Sequence, residues 1–168
     1  MQRIAVIGSP GTGKTTFSKK LAVQLDLPLY HLDFYYWDDS FKYAEDRLAW
    51  RKKVAELANQ HKWIIDGNNK STYDVRFPRA DTIIYLDYSR NVSLRRAVHR
   101  RVKLNGKVRD DMPPNWKEKF SFSLLKFIWA YNTVQRPKVY ELLAAQKGKN
   151  IIILRNSQQA DTYLSGLR

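Results

Sequence analysis

Cysteine is absent from the 168 residues, which excludes disulfides, thiolate catalysis and cysteine-bound zinc and fits a cytoplasmic location. Long apolar runs are absent too. The longest, Ile83 to Leu86 and Ile151 to Leu154, are strand-sized against the roughly 20 residues that span a bilayer, so no membrane partner is expected. Met1 to Ile7 runs straight into an apolar stretch, without the basic leader and small-residue cleavage site of an export signal. Acidic residues are scarce: 16 Asp and Glu stand against 30 Lys and Arg, a net charge of +14. Thirteen basic and three acidic residues between Arg90 and Lys138 put +10 of that excess in one region. Such a field suits a site that gathers phosphates or a surface that follows a nucleic-acid backbone, and charge alone does not choose between them. His31, His61 and His99 lack metal-ligand spacing.

What is present reads as one compact α/β domain, a length that buries a core without staples. Ile4–Ile7, Leu27–Leu32, Trp63–Ile65, Thr82–Leu86 and Asn150–Leu154 predict five strands. Their continuous apolar character, with helical segments between them, predicts a buried parallel sheet in a three-layer α/β/α arrangement. Thr15–Leu25 carries Phe17, Leu21 and Leu25 at helical spacing, and Asp39 or Ser40 is placed to cap a helix bearing Leu48, Val54 and Leu57. The aromatic stretch from Phe120 to Tyr131, interleaved with Lys119 and Lys126, reads as a core-facing helix in preference to a base-stacking surface. Lys103–Trp116, with Gly106, Pro113 and Pro114, is the least regular part and the expected site of a mobile insertion.

The most specific signal is Gly8-Ser9-Pro10-Gly11-Thr12-Gly13-Lys14-Thr15, followed by Thr16. A glycine, four residues and Gly-Lys-Thr between a predicted strand and a predicted helix is the phosphate-loop pattern in its required setting. Glycines let the backbone curl so that its N–H groups point at phosphate oxygens, and the following helix offers unpaired amides and a positive dipole end. Lys14 is expected on the outer phosphates, the Thr15 hydroxyl on magnesium, and Thr16 on an inner phosphate oxygen. The reading is a P-loop fold that binds ATP with Mg2+ and passes its terminal phosphoryl group to a small acceptor.

The loop, His31-Leu32-Asp33, Asp66-Gly67-Asn68, Ala80-Asp81 through Asp87, and Trp129-Ala130-Tyr131 with Arg136-Pro137 together resemble the adenylate kinase-like branch of P-loop kinases. Within it they are most similar to the bacterial DNA topology modulation, or adenylate kinase-related, proteins. The resemblance implies a nucleoside monophosphate kinase-like enzyme with a lid over about residues 103–119. Asp66 would hold magnesium beside Thr15, and Arg96 and Arg100, one helical turn apart, would meet the nucleotide; a cap for Asp66 and a solvated face for the arginines are the bland alternatives. Arg101, Arg109-Asp110-Asp111 and Arg136 are further candidates. Where adenylate kinases continue Asp-Gly with Phe-Pro-Arg, this chain has Asn68, Asn69 and Lys70, so the arginine aimed at an acceptor phosphate is missing and Arg76 or Lys70 is the expected substitute. Asp33 stands as acceptor ligand or base against a cap, and Tyr35, Tyr36 and Trp37 as acceptor walls against core packing. Asp87 reads as turn chemistry. The alternative function carried by the family name is a nucleic-acid-binding protein that modulates DNA topology.

Overall fold

A computed structural model describes residues 1–37, 46–104, 112–113 and 121–167. Five strands, β1 (Arg3–Gly8), β2 (Leu29–His31), β3 (Trp63–Asp66), β4 (Thr82–Leu86) and β5 (Asn150–Leu154), pair in parallel in the order β2-β3-β1-β4-β5. All five predicted strands are thus found. β2 is shorter than predicted, and Asp33 falls in the first turn of the helix that follows.

Alternation along the strands sends side chains to two separate cores. Ile4, Val6, Ile64, Ile84 and Leu86 face helices α1 (Lys14–Leu25) and α8 (Ser157–Ser165) through Phe17, Leu21, Ala160 and Leu164. Ala5, Ile7, Ile65, Ile83 and Tyr85 face the other way, onto Trp50, Val54 and Leu57 of α3 (Arg47–Ala58) and Val139 and Leu143 of α7 (Arg136–Ala144). Both faces being covered is the reason the strands are apolar throughout. A side chain such as Leu21, with no exposed surface, contributes about 2 kcal/mol to the fold.

The remaining helices are α2 (Leu32–Tyr36), α4 (Tyr73–Arg76), α5 (Arg90–Lys103) and α6 (Phe122–Ala130), with a π-helical turn, Tyr131–Gln135, joining α6 to α7. Two sequence readings are corrected. Leu48 is 80% exposed, and α3 buries Trp50 in its place; the helix starts at the Asp46 carboxylate, which accepts from the Leu48 and Ala49 amides at 2.9 Å, while Asp39 and Ser40 lie outside the described residues. The aromatic stretch faces the core only in part: Ile128 and Tyr131 are buried, Tyr131 within the core beneath α3 and α7, whereas Phe122, Phe127 and Trp129 are exposed. Helical spacing reports that a helix has an apolar side, and not what covers it.

Parallel pairing brings every strand's carboxyl end to one edge. The register aligns His31 with Asp66 and Asp66 with Val6, and Gly8 with Leu86. At that edge β1 separates β3 and β2 on one side from β4 and β5 on the other, the switch point at which open α/β sheets hold ligands.

Candidate active site

Leaving β1, the chain passes through three positive-φ glycines, Gly8 (152°), Gly11 (85°) and Gly13 (88°), before α1 begins. Gly11 is obligatory twice over, because a Cβ there would sit 2.2 Å from the Ser93 carbonyl oxygen on α5. Inside the loop, the Thr12 hydroxyl donates to the Ser9 carbonyl at 2.9 Å, and Lys14 Nζ donates to the carbonyls of Gly8 (2.9 Å) and Ser9 (3.0 Å). No side chain caps α1, and its first turn contains no acidic residue. Its leading amides and positive dipole end therefore address the space in front of the loop.

That space is a cleft of about 1580 Å³. Residues Pro10 through Thr16 line one end. Arg96 and Arg100 enter from α5, as their shared face predicts. Arg96 donates to the Thr12 carbonyl at 3.2 Å and to the Ser157 hydroxyl at 2.6 Å, with its guanidinium over the Tyr88 ring at 5.4 Å. It ties the loop to the start of α8. The cleft is also lined by His31, Asp33, Tyr36 and Trp37 from β2 and α2, and by Asp66 at the end of β3 with Asn68 and Asn69 after it.

Asp66 is 4% exposed, its Oδ1 is 2.9 Å from His31 Nδ1, and its Oδ2 is buried without a hydrogen-bond partner. A buried carboxylate oxygen left unmatched is costly, and a hydrated cation between it and the Thr15 hydroxyl would satisfy it. The donor set, all oxygen and one carboxylate beside a phosphate loop, fits Mg2+. Among the described residues no cluster of three His, Cys, Asp or Glu forms a protein-only metal cage, so such an ion depends on substrate phosphates for its other ligands.

Two predicted site residues are placed elsewhere. Arg76 is completely buried behind the Gly67–Asn69 segment, where Nη2 donates to the Gly67 and Asn69 carbonyls at 3.1 and 3.2 Å and the guanidinium stacks over Tyr73. Burial pushes its pKa down to about 10, with Tyr73, Asp66 and Asp33 holding it up, so it remains a cation at neutral pH. Arg136 leaves the loop region for Asp87 at the end of β4. Its Nε and Nη2 grip the carboxylate at 2.8 and 2.7 Å, Tyr140 adds a third donor at 2.7 Å, and this hydrogen-bonded pairing raises the arginine's pKa. Asp87 is engaged by α7 and not by the turn chemistry its sequence suggested: its carboxylate accepts from Arg136 and Tyr140. Arg109, Asp110, Asp111 and most of the predicted lid lie outside the described residues; Met112 is buried and lines the cleft. Sequence reading passed over His31 and Ser157, because each acquires its role from a strand or helix far along the chain.

The sequence matches no protein-family model and no curated relative. Solved structures do match along nearly the whole chain. A shikimate kinase from Bacteroides thetaiotaomicron is 21% identical with a TM-score of 0.57, covering 99% of this chain and 95% of its own. A gluconokinase from Sinorhizobium meliloti is 18% identical with a TM-score of 0.60, covering 99% and 91%. A deoxyadenosine kinase from M. mycoides with bound dCTP is 14% identical with a TM-score of 0.53, covering 98% and 98%. At these identities the likeness is one of architecture. The chain has the P-loop kinase fold. Among its described residues no helix is long and apolar enough to cross a membrane.

Proposed function

We propose that the protein is an ATP-dependent phosphotransferase acting on a small acceptor. The observation that carries this reading is the junction of two half-sites in one cleft: a phosphate loop with uncapped α1 amides, Lys14 and Arg96 and with Asp66 beside it, and a second wall with Asp33, Tyr36 and Trp37 of α2. A simple nucleotide-binding switch needs the first half only. The kinase names of the structural neighbours support the same reading by analogy of fold.

In this reading the loop amides and the α1 terminus hold the donor's phosphates. Lys14, now resting on the Gly8 and Ser9 carbonyls, transfers its ammonium to the outer phosphates, and Arg96 and Arg100 meet the charge that spreads over the moving phosphoryl group. Thr15 and, through water, Asp66 would hold magnesium, which would supply positive charge against the donor's phosphates. His31 fixes the orientation of the Asp66 carboxylate that does so. The adenylate kinase-like character of the donor half rests on Asp66-Gly67 and the Arg96–Arg100 pair.

The direct test is calorimetric binding of Mg-ATP together with transfer of the γ-label from ATP into a pool of small metabolites. Wild-type protein is expected to bind and transfer, and Lys14→Ala to lose about a thousandfold in transfer, the scale on which a charged group in such a transition state acts. Absence of ATP binding by the folded wild-type chain refutes the reading.

A further inference from the structure

We infer that the Gly67–Asn69 segment is a binding site for an anionic group of the acceptor, a carboxylate or a phosphate, held by the backbone N–H and the side-chain amide of Asn68. Arg76 and Tyr73 are its positioning residues and act from inside the core. The inference rests on the phosphotransferase reading and specifies one group of its acceptor.

Gly67, Asn68 and Asn69 line the cleft directly after the buried end of β3. Two carbonyls of this segment are drawn inward. Arg76 Nη2 donates to that of Gly67 at 3.1 Å and to that of Asn69 at 3.2 Å, and the Thr72 hydroxyl donates to the latter at 2.9 Å. Gly67 permits the turn, because its φ is 141° and a Cβ there would lie 2.8 Å from Leu32 Cβ. A trans peptide sends its N–H opposite to its carbonyl, and the Gly67–Asn68 peptide is trans. With the Gly67 oxygen on the buried guanidinium, the Asn68 N–H faces away from the core, where the segment borders the cleft. That N–H donates to no described residue.

The Asn68 side chain is arranged in the same sense. Its Oδ1 accepts from the Tyr73 hydroxyl at 2.6 Å. Tyr73 is buried, and burial raises its pKa, so the phenol stays protonated and donates. This fixes the amide with its oxygen on Tyr73 and its nitrogen on the other side. The nitrogen carries two hydrogens. One faces the hydroxyl of Tyr131, which is buried and has no hydrogen-bond partner; the other is left for a ligand. The brace itself is rigid, since the Tyr73 ring stacks on Phe77 at 4.5 Å and carries the Arg76 guanidinium at 5.1 Å. Two N–H donors presented by one residue match a group whose oxygens only accept.

Arg76 supplies the sign. It is completely buried, remains a cation at neutral pH, and has no hydrogen-bond partner at Nε or Nη1. A guanidinium kept so far from water and so sparsely bonded is costly, and its field is little screened there. That field acts on the Asp66 and Asp33 carboxylates, which hold the arginine's pKa up. It thereby offsets the repulsion they would exert on an incoming anion. Beyond Asn69, burial and the nearby Lys138 lower the pKa of Lys70, so the flank of the segment is positive as well.

Nuclear magnetic resonance on the full chain tests this, with magnesium and a nonhydrolysable ATP analogue on the phosphate loop and salt at about 0.15 M to screen general attraction. The probes are inorganic phosphate and acetate, with glycerol as the neutral control. Saturable binding is expected, with the Asn68 backbone and side-chain N–H signals moving together, and the tighter of the two anions tells phosphate from carboxylate. Asn68→Asp keeps the shape and the bond from Tyr73 but replaces the amide donor by an anionic oxygen; it is expected to weaken the anion at least about tenfold, the scale of one charge-assisted hydrogen bond. Tyr73→Phe keeps the stack on Phe77 and releases the amide; about threefold weaker anion binding is expected, with the affinity for the ATP analogue unchanged within about twofold. Shifts confined to α1 and α5 with Asn68 unmoved, equal anion binding by Asn68→Asp, or an equal response to glycerol each overturns the inference and leaves the donor half intact. Failure to bind the ATP analogue instead overturns the phosphotransferase reading beneath it.

Discussion

At the scale of single residues, position along the backbone decides more than chemical type. Gly11 has a φ of 85° and no room for a Cβ against the Ser93 carbonyl, so Gly11→Ala must displace either the loop or α5. The expected outcome is a loss of ATP affinity of about a hundredfold or more, measured by calorimetry, with the far-ultraviolet circular dichroism unchanged, since the two cores on either side of the sheet are not touched. The loop was legible because its parts are contiguous and each has one geometric purpose. The His31–Asp66 bond was not, because 35 residues separate its partners and only the pairing of β2 with β3 brings them together. Arg76 and Arg136 were misread for a related reason. Charge identifies a side chain that seeks an anion or a carbonyl, and both found theirs inside the protein.

At the scale of elements, the Arg136–Asp87–Tyr140 cluster joins the end of β4 to α7. Asp87 is almost wholly buried while Arg136 is two-fifths exposed, so the pair lies between the surface and interior cases. Arg136→Ala leaves the carboxylate with Tyr140 as its remaining side-chain donor, and a cost of about 2 kcal/mol is expected, below the value for a fully buried pair. Urea unfolding measures it. Because none of the three residues lines the cleft, the same variant is expected to keep kcat within about threefold, whereas an arginine that met the transferring phosphoryl group would cost roughly three powers of ten or more. Element types were well predicted from the alternation of apolar strands and periodic helices. Their outward faces were less so: Leu48 and the α6 aromatics show that an apolar stripe gives no address for its partner.

At the scale of the whole molecule, stability has an acid limit written into the start of the sheet. Asp81 Oδ2 accepts from the Gln2 and Arg3 amides at 2.8 and 2.9 Å, and Oδ1 from the Thr82 hydroxyl at 2.8 Å, closing the entry of β1 against β4. Burial alone would raise this carboxyl's pKa, but the hydrogen bonds from Gln2, Arg3 and Thr82 prevail and lower it. Asp74, paired with Arg51, is lowered as well. A folded pKa below the unfolded one gives stability that is fully present above about pH 4 and is lost as pH falls through the folded value. Asp81→Asn is expected to lower Tm at pH 7 by about 2–4 °C, corresponding to about 1 kcal/mol, and to approach the parent protein as acid protonates the Asp81 carboxylate in the folded state. Thermal melts across pH check this, and a gap that persists in acid counts against the charge as its source.

The strand order also sets a schedule for biosynthesis. β1 carries the phosphate loop and is synthesised before its two neighbours, β3 and β4, which are encoded some sixty and eighty residues later. At roughly 5–20 residues per second, the nascent β1 waits several seconds to more than ten for both flanks. During that interval its two unpaired edges are candidates for chaperone capture. Nucleotide in the cell therefore rewards completion of the central sheet, and helps little in its initiation.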